Sequence, residues 1–137
     1  MYHALFYTGP LADLWTFNPA SSNWTDLTSS ARGDFPSPRV FFGMATAGER
    51  LFIFGGKNET AFLGDLKCWD PATGYWTDLS SSSGDCAPAP RAYHSFAEHG
   101  GLLFLFGGWG YSGTPPPPAV KQRVGARVEA HDVGREK

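Results

Sequence analysis

Long apolar runs are absent from this 137-residue sequence: the longest, Leu102 to Phe106, falls far short of the roughly 20 residues that cross a bilayer as a helix, so no membrane span is expected. An excess of positive charge is absent too. Eleven Lys and Arg against 13 Asp and Glu give a formal charge of −2, which removes the basic field that a phosphate backbone requires and excludes nucleic acid as a partner class. Cysteine is scarce. Cys68 and Cys86 are too few for a disulfide framework and lack zinc-binding spacing, so both read as incidental. Residues Met1 to Tyr7 show no basic start, sustained apolar stretch or small-residue cleavage site of a signal peptide, and the compartment is left open.

Catalytic signatures are equally sparse. No Gly-rich phosphate loop, nucleophile elbow or Cys/His pair with a third member is present. Among the four histidines, His3 and His131 lie near the two ends of the sequence. His94 and His99 are five apart on or beside one strand, where an odd separation sends side chains to opposite faces, whereas a catalytic metal commonly needs three converging protein ligands. No catalytic, metal-binding or cofactor-binding residue is therefore assigned.

What the sequence does contain is a repeat. Asp13-Leu14 through Trp24-Thr25-Asp26-Leu27 returns 52 residues later as Asp65-Leu66 through Trp76-Thr77-Asp78-Leu79. The same offset carries Pro36-Ser37-Pro38-Arg39 to Pro88-Ala89-Pro90-Arg91, and Leu51-Phe52-Ile53-Phe54-Gly55-Gly56 to Leu103-Phe104-Leu105-Phe106-Gly107-Gly108. Residues 11–56 laid over 63–108 without a gap give roughly 21 identities in 46 positions, a density expected of stacked structural repeats.

In the one complete unit, four short strands are expected at Arg39 to Ala45, Leu51 to Phe54, Asp65 to Trp69 and Trp76 to Leu79. Gly48-Glu49-Arg50, Gly55-Gly56, Pro71-Ala72-Thr73-Gly74 and the Ser-rich segment after Leu79 break them. Four short antiparallel strands per repeat describe one blade of a β-propeller, so the fold class is all-β.

An apolar strand ending in a Gly-Gly doublet, followed by an aromatic and a Trp separated by a turn, resembles the kelch repeat. Gly55-Gly56 and Gly107-Gly108 match the doublet, Phe17 with Trp24 and Trp69 with Trp76 match the aromatic pair, and Pro-x-Pro-Arg opens the first strand. Phe17 and Trp69 depart from the Tyr common in the family. The resemblance implies a protein-protein interaction module, a scaffold or adaptor without enzymatic activity. Its alternative is a fragment of a larger kelch-like propeller enzyme, such as a metal-dependent oxidase or specifier protein. It also implies that Arg39 and Arg91 bond between blades rather than to a ligand, and that Trp24 and Trp76 weld neighbouring sheets.

With strands lettered A to D outward from the axis, residues 1–112 hold strands C and D of one blade, a full blade over 39–79, and strands A and B of a third. Propellers close with four to eight blades, so this is an incomplete propeller, cut in mid-blade and expected to belong to a longer protein. Open blade edges leave room for self-association. Residues 113–137, with Pro115 to Pro118 and a charged stretch, are expected to form a Pro-rich, disordered tail acting as a linker.

Loop length separates the two ends of the blades. The B-to-C and D-to-A connections, Lys57 to Gly64, Thr28 to Pro38 and Ser80 to Pro90, are long and share one end. That end carries Arg32, Asp34, Phe35, Lys57, Asn58, Glu59, Phe62 and Asp85, a mixture of charges and aromatics suited to a protein partner. Arg32-Gly33-Asp34 also matches a cell-adhesion tripeptide, and Asn23 and Asn58 begin glycosylation-type triplets; neither motif is given weight.

Overall fold

The computed structural model describes residues 9–81 and 87–110, and these form nine strands. In chain order they are β1 (Trp15–Asn18), β2 (Asn23–Asp26), β3 (Arg32–Gly33), β4 (Gly43–Ala47), β5 (Arg50–Phe54), β6 (Leu66–Asp70), β7 (Tyr75–Asp78), β8 (Ser95–His99) and β9 (Leu102–Phe106). β1 and β2 form one antiparallel pair, β8 and β9 another, and between them lies a five-stranded sheet in the order β3-β7-β6-β5-β4. The fold is the expected one: all-β, with open sheets, a partial propeller. No helix among the described residues is long and apolar enough to cross a membrane. The tail at 113–137 lies outside the described residues.

The strand register follows the alternation of side chains. Leu51 opposes Trp69 and Phe52 opposes Cys68 between β5 and β6, while Trp69 opposes Trp76 between β6 and β7. Leu51, Ile53, Trp69 and Trp76 therefore share one face, and Phe52, Phe54, Leu66 and Cys68 the other. Both faces are covered. The first packs on Leu14 and Leu27 from the ends of the β1-β2 hairpin, the second on Phe96, Leu103 and Leu105 from β8 and β9. A strand buried on both faces reads as a continuous apolar run, which is why Leu51 to Phe54 shows no polar alternation.

Two expectations are corrected. The first strand of the unit begins at Gly43, not Arg39, because Phe41 takes a left-handed backbone (φ 58°) that interrupts the extended chain. The connection after β2 is no free loop: Arg32 and Gly33 form β3 and pair in parallel with Tyr75 and Trp76 of β7.

The Gly-Gly doublet is the joint between one sheet and the next. Gly55 and Gly56 sit at φ 62° and 92°, and the Gly56 N–H donates to the Arg91 carbonyl at 2.8 Å. A Cβ on Gly55 would stand 2.5 Å from that same carbonyl, so any side chain would force the sheets apart.

Arg39 locks the complete sheet. Its guanidinium makes a two-pronged contact with the Asp65 carboxylate at 2.7 and 2.8 Å and donates to the Gly55 carbonyl at 3.0 Å. Nε adds a bond to the Ser37 carbonyl. These partners lie within its own repeat, so the expected bond between blades is replaced by a latch across the ends of β5 and β6. The planar fork fits because carboxylate and carbonyl are both fixed by the sheet. Arg91 repeats the pattern with the carbonyls of Ala89 and Gly107, its partners among the described residues.

Arg39→Ala removes a buried guanidinium and leaves the half-buried Asp65 carboxylate without its partner, and is expected to lower unfolding stability by about 3 kcal/mol. Arg91→Ala, which breaks two bonds to carbonyls, should cost about 1–2 kcal/mol. Urea unfolding followed by tryptophan fluorescence measures both, and equal losses would refute the latch.

Candidate partner-binding face

Each repeat uses the residue after its doublet to tie down the residue after its arginine. Val40 and Lys57 exchange backbone bonds of 2.9 Å in both directions, and Ala92 and Trp109 do the same at 2.8 and 2.7 Å. These bridges hold Phe41 and Tyr93, each next in sequence, at the mouths of the strands that lead into β4 and β8. Those two strands pack side by side.

Phe41 and Tyr93 occupy equivalent positions and both adopt left-handed backbone, with φ of 58° and 59°. A bulky side chain in that region costs about 1–2 kcal/mol per residue, so two such residues mark a conformation that the surrounding bonds impose. The Tyr93 N–H donates to the Phe41 carbonyl at 3.0 Å, and the rings stack with centroids 4.1 Å apart. The stack is not buried: the two residues keep 51% and 53% of their surface exposed. Trp109, paired to the neighbour of Tyr93, is exposed as well.

Of the residues expected at this end, Lys57, Asn58, Glu59 and Phe62 sit together on one connection. The Lys57 ammonium stands 6.0 Å from the centre of the Phe62 ring, and the two residues are bridged through their backbones. Asn58 shapes the turn, its Oδ1 accepting from the backbone N–H groups of Thr60 and Ala61. Glu59 is exposed.

Arg32, Asp34 and Phe35 form a second group against the outer strand β7. The Asp34 N–H donates to the Trp76 carbonyl at 2.9 Å, and its Oδ2 accepts from the Asp78 N–H at 3.2 Å. Phe35, expected as an exposed aromatic, is half-buried and meets Trp76 edge-on at 6.1 Å. The Arg-Gly-Asp tripeptide is thereby held by the sheet: Gly33 sits at φ 82°, and a Cβ there would collide with the Trp76 carbonyl. Among the described residues no hydrogen bond or ion pair joins this group to Lys57–Phe62. Asp85 lies outside the described residues.

Sequence reasoning missed Phe41, Tyr93 and Trp109. The repeat offset aligns two of them as aromatics, which was a usable signal, but left-handed backbone at a non-glycine residue leaves no mark in the pattern.

His94 follows Tyr93 and is buried, whereas His99 is exposed. Among the described residues neither His94 ring nitrogen has a hydrogen-bond partner, and its ring lies edge-on to Phe54. Desolvation, with a smaller contribution from the nearby Arg91 charge, pushes its pKa below the ordinary histidine value; the Phe54 backbone opposes this weakly from outside hydrogen-bond geometry. Among the described residues no group of three His, Cys, Asp or Glu side chains is placed to hold a metal.

A histidine whose folded pKa is depressed takes up its proton more readily in the unfolded chain, so stability falls as pH drops below about 6.5. His94→Phe, which copies Phe42 at the equivalent position, is expected to flatten stability between about pH 5 and 7. Thermal melts of both proteins across that range test it, and an unchanged pH dependence would refute the assignment to His94.

Residues 6–115 match the family described as the KLHDC2/KLHL20/DRC7 Kelch-repeats domain. The chain is 28% identical over 107 residues to N-(sulfonatooxy)prop-2-enimidothioate sulfolyase of Thlaspi arvense, covering 77% of this chain and 30% of that protein. It is 30% identical over 103 residues to Host cell factor of Drosophila melanogaster, covering 73% and 7%. It is also 31% identical over 78 residues to Beta-scruin of Limulus polyphemus, covering 56% and 8%. The chain thus spans between 7% and 30% of the length of these relatives.

Proposed function

The chain belongs to the kelch-repeat family, and on that premise we propose that it is a protein-interaction module whose long-connection face receives another protein. The stacked Phe41-Tyr93 pair carries this reading. Two bulky residues held in left-handed backbone, with their rings turned half into solvent, are costly for folding alone, and such strain concentrates where a surface recognises something.

Around that stack the face offers Lys57 and Phe62, the carboxylate of Glu59 and the indole of Trp109. Aromatic anchors ringed by a few charges are the composition of protein recognition surfaces. Arg32 and Asp34 flank the face from the edge of β7, and Asp85 belongs to the next long connection. Phe35 contributes through packing. Kelch-like repeats serve generally as binding scaffolds, while the catalytic alternative draws support from the sulfolyase relative.

Selection of a random peptide library against the whole chain tests the face. Phe41→Gly with Tyr93→Gly removes both rings while relieving the backbone, and stability is expected to shift by no more than about 1–2 kcal/mol. Binding of the selected peptides should fall at least about tenfold in that variant and in Phe62→Ser, and hold in Trp24→Asp, far from the face. Peptides that bind all variants equally would overturn the proposal.

A further inference from the structure

The ring of His94 sits at the joint between the complete sheet and the β8-β9 hairpin, directly behind the aromatic stack. The residue is 9% exposed, and among the described residues neither ring nitrogen has a partner. A buried polar group left unpaired is uncommon and costs stability, whichever nitrogen carries the proton. Packing alone does not call for it, because the equivalent position 52 residues earlier is Phe42. One repeat uses a phenyl side chain there, and the next uses a ring that can take up a proton.

The place of that ring ties it to both halves of the stack. His94 follows Tyr93 in sequence, and its Nε2 faces Gly43, two residues after Phe41, so closely that a Cβ on Gly43 would stand 2.6 Å away. Phe54 and Phe96 meet the ring edge-on with centroids at 5.6 and 6.4 Å, and a Cβ on Gly55 would lie 3.2 Å from Cε1. The imidazole is a peg between the chain that carries Tyr93 and the chain that carries Phe41. Resting on the reading of the Phe41-Tyr93 face as a recognition surface, we propose that His94 gates it: on protonation the ring leaves its place between the sheets, the stack comes apart, and the face releases its protein partner in mild acid.

Among the described residues nothing around the peg stabilises a positive charge. Gly43, Phe54, Gly55, Phe96 and Gly108 line it, and none has a titratable side chain. β4 and β9 contain no titratable residue, while Arg50 of β5 and Glu98 and His99 of β8 stand at the opposite ends of their strands. Arg39, which reaches the Gly55 carbonyl, is paired with Asp65, and the Lys57 ammonium lies over Phe62. Arg91 is the charge that acts on His94, and it repels an imidazolium.

Burial first, and that repulsion second, weaken proton binding in the closed arrangement, whereas a ring released into water binds its proton normally. Acid therefore favours release. Strain works in the same direction. Phe41 and Tyr93 hold left-handed backbone and are spanned by the bond from the Tyr93 N–H to the Phe41 carbonyl, so both can relax once the peg is withdrawn.

Amide hydrogen exchange and peptide affinity, measured on the whole chain at about pH 7.5 and about pH 5, test the gate. Corrected for intrinsic rates, protection of the Tyr93 amide should fall at least about tenfold in acid relative to the amides of β5 and β6. The affinity of histidine-free peptides selected at the higher pH should fall at least about threefold, within the limit of about tenfold per pH unit that one proton sets. In His94→Phe both quantities should hold across the range, with His94→Leu standing in if that variant does not melt cooperatively. A loss shared equally by β5 and β6 would mean general weakening of the fold and would overturn the gate. So would Tyr93 protection that ignores pH, or an acid loss that persists in the His94 variant. Selected peptides whose affinity ignores pH would sink the gate alone. Selecting no peptide that needs the Phe41 and Tyr93 rings would sink the reading of the face, and the gate would fall with it as a control of binding.

Discussion

Everything in this structure follows from one constraint: a small twisted sheet that is apolar on both faces cannot be stable unless another sheet covers each of them. β5 and β6 meet that constraint, with Leu14 and Leu27 on one side and Leu103 and Leu105 on the other. Fully burying one large apolar side chain stabilises by about 1.5–3 kcal/mol, and the central sheet buries Phe52, Ile53, Phe54, Leu66, Trp69 and Trp76 this way. The glycine doublet and the arginine latch serve the same end. Gly55 lets the next sheet approach closely enough to cover the core, and Arg39 holds the ends of β5 and β6 in register while it does so.

The sheet architecture was legible in the sequence because it is written in period and repetition. Leu51 to Phe54 reads as a doubly buried strand, Trp69 and Trp76 recur in register with Phe17 and Trp24, and the doublet punctuates each unit. What was not legible depends on backbone angles or on approach between distant segments. Nothing in the letters of Val40-Phe41-Phe42 announces a left-handed turn, so the apolar pattern extends the strand back to Arg39, four residues before the Gly43 at which it begins. The pairing of Arg32 and Gly33 with β7 joins residues more than 40 positions apart, beyond any local pattern. Phe35 illustrates the same limit: an aromatic in a connecting segment is read as exposed until the Trp76 beside it is seen.

The candidate site was legible in part, and the division has a physical origin. Loop length alone picked out Lys57, Asn58, Glu59 and Phe62, because long connections at one end of a blade are a property of spacing. The stack at Phe41 and Tyr93 arises instead from the inner ends of two neighbouring units meeting, and requires that their chains exchange the bond from Tyr93 to Phe41. A feature made by two repeats together is invisible to a reading that treats each repeat singly.

Packing and the candidate site use different parts of the same blades. Contacts between sheets lie on the faces, whereas the Lys57-Phe62 pair and the Phe41-Tyr93 stack lie at strand ends. The faces can therefore be as apolar as the core requires, while the strand ends stay free to carry charges and aromatics that the core could not accommodate.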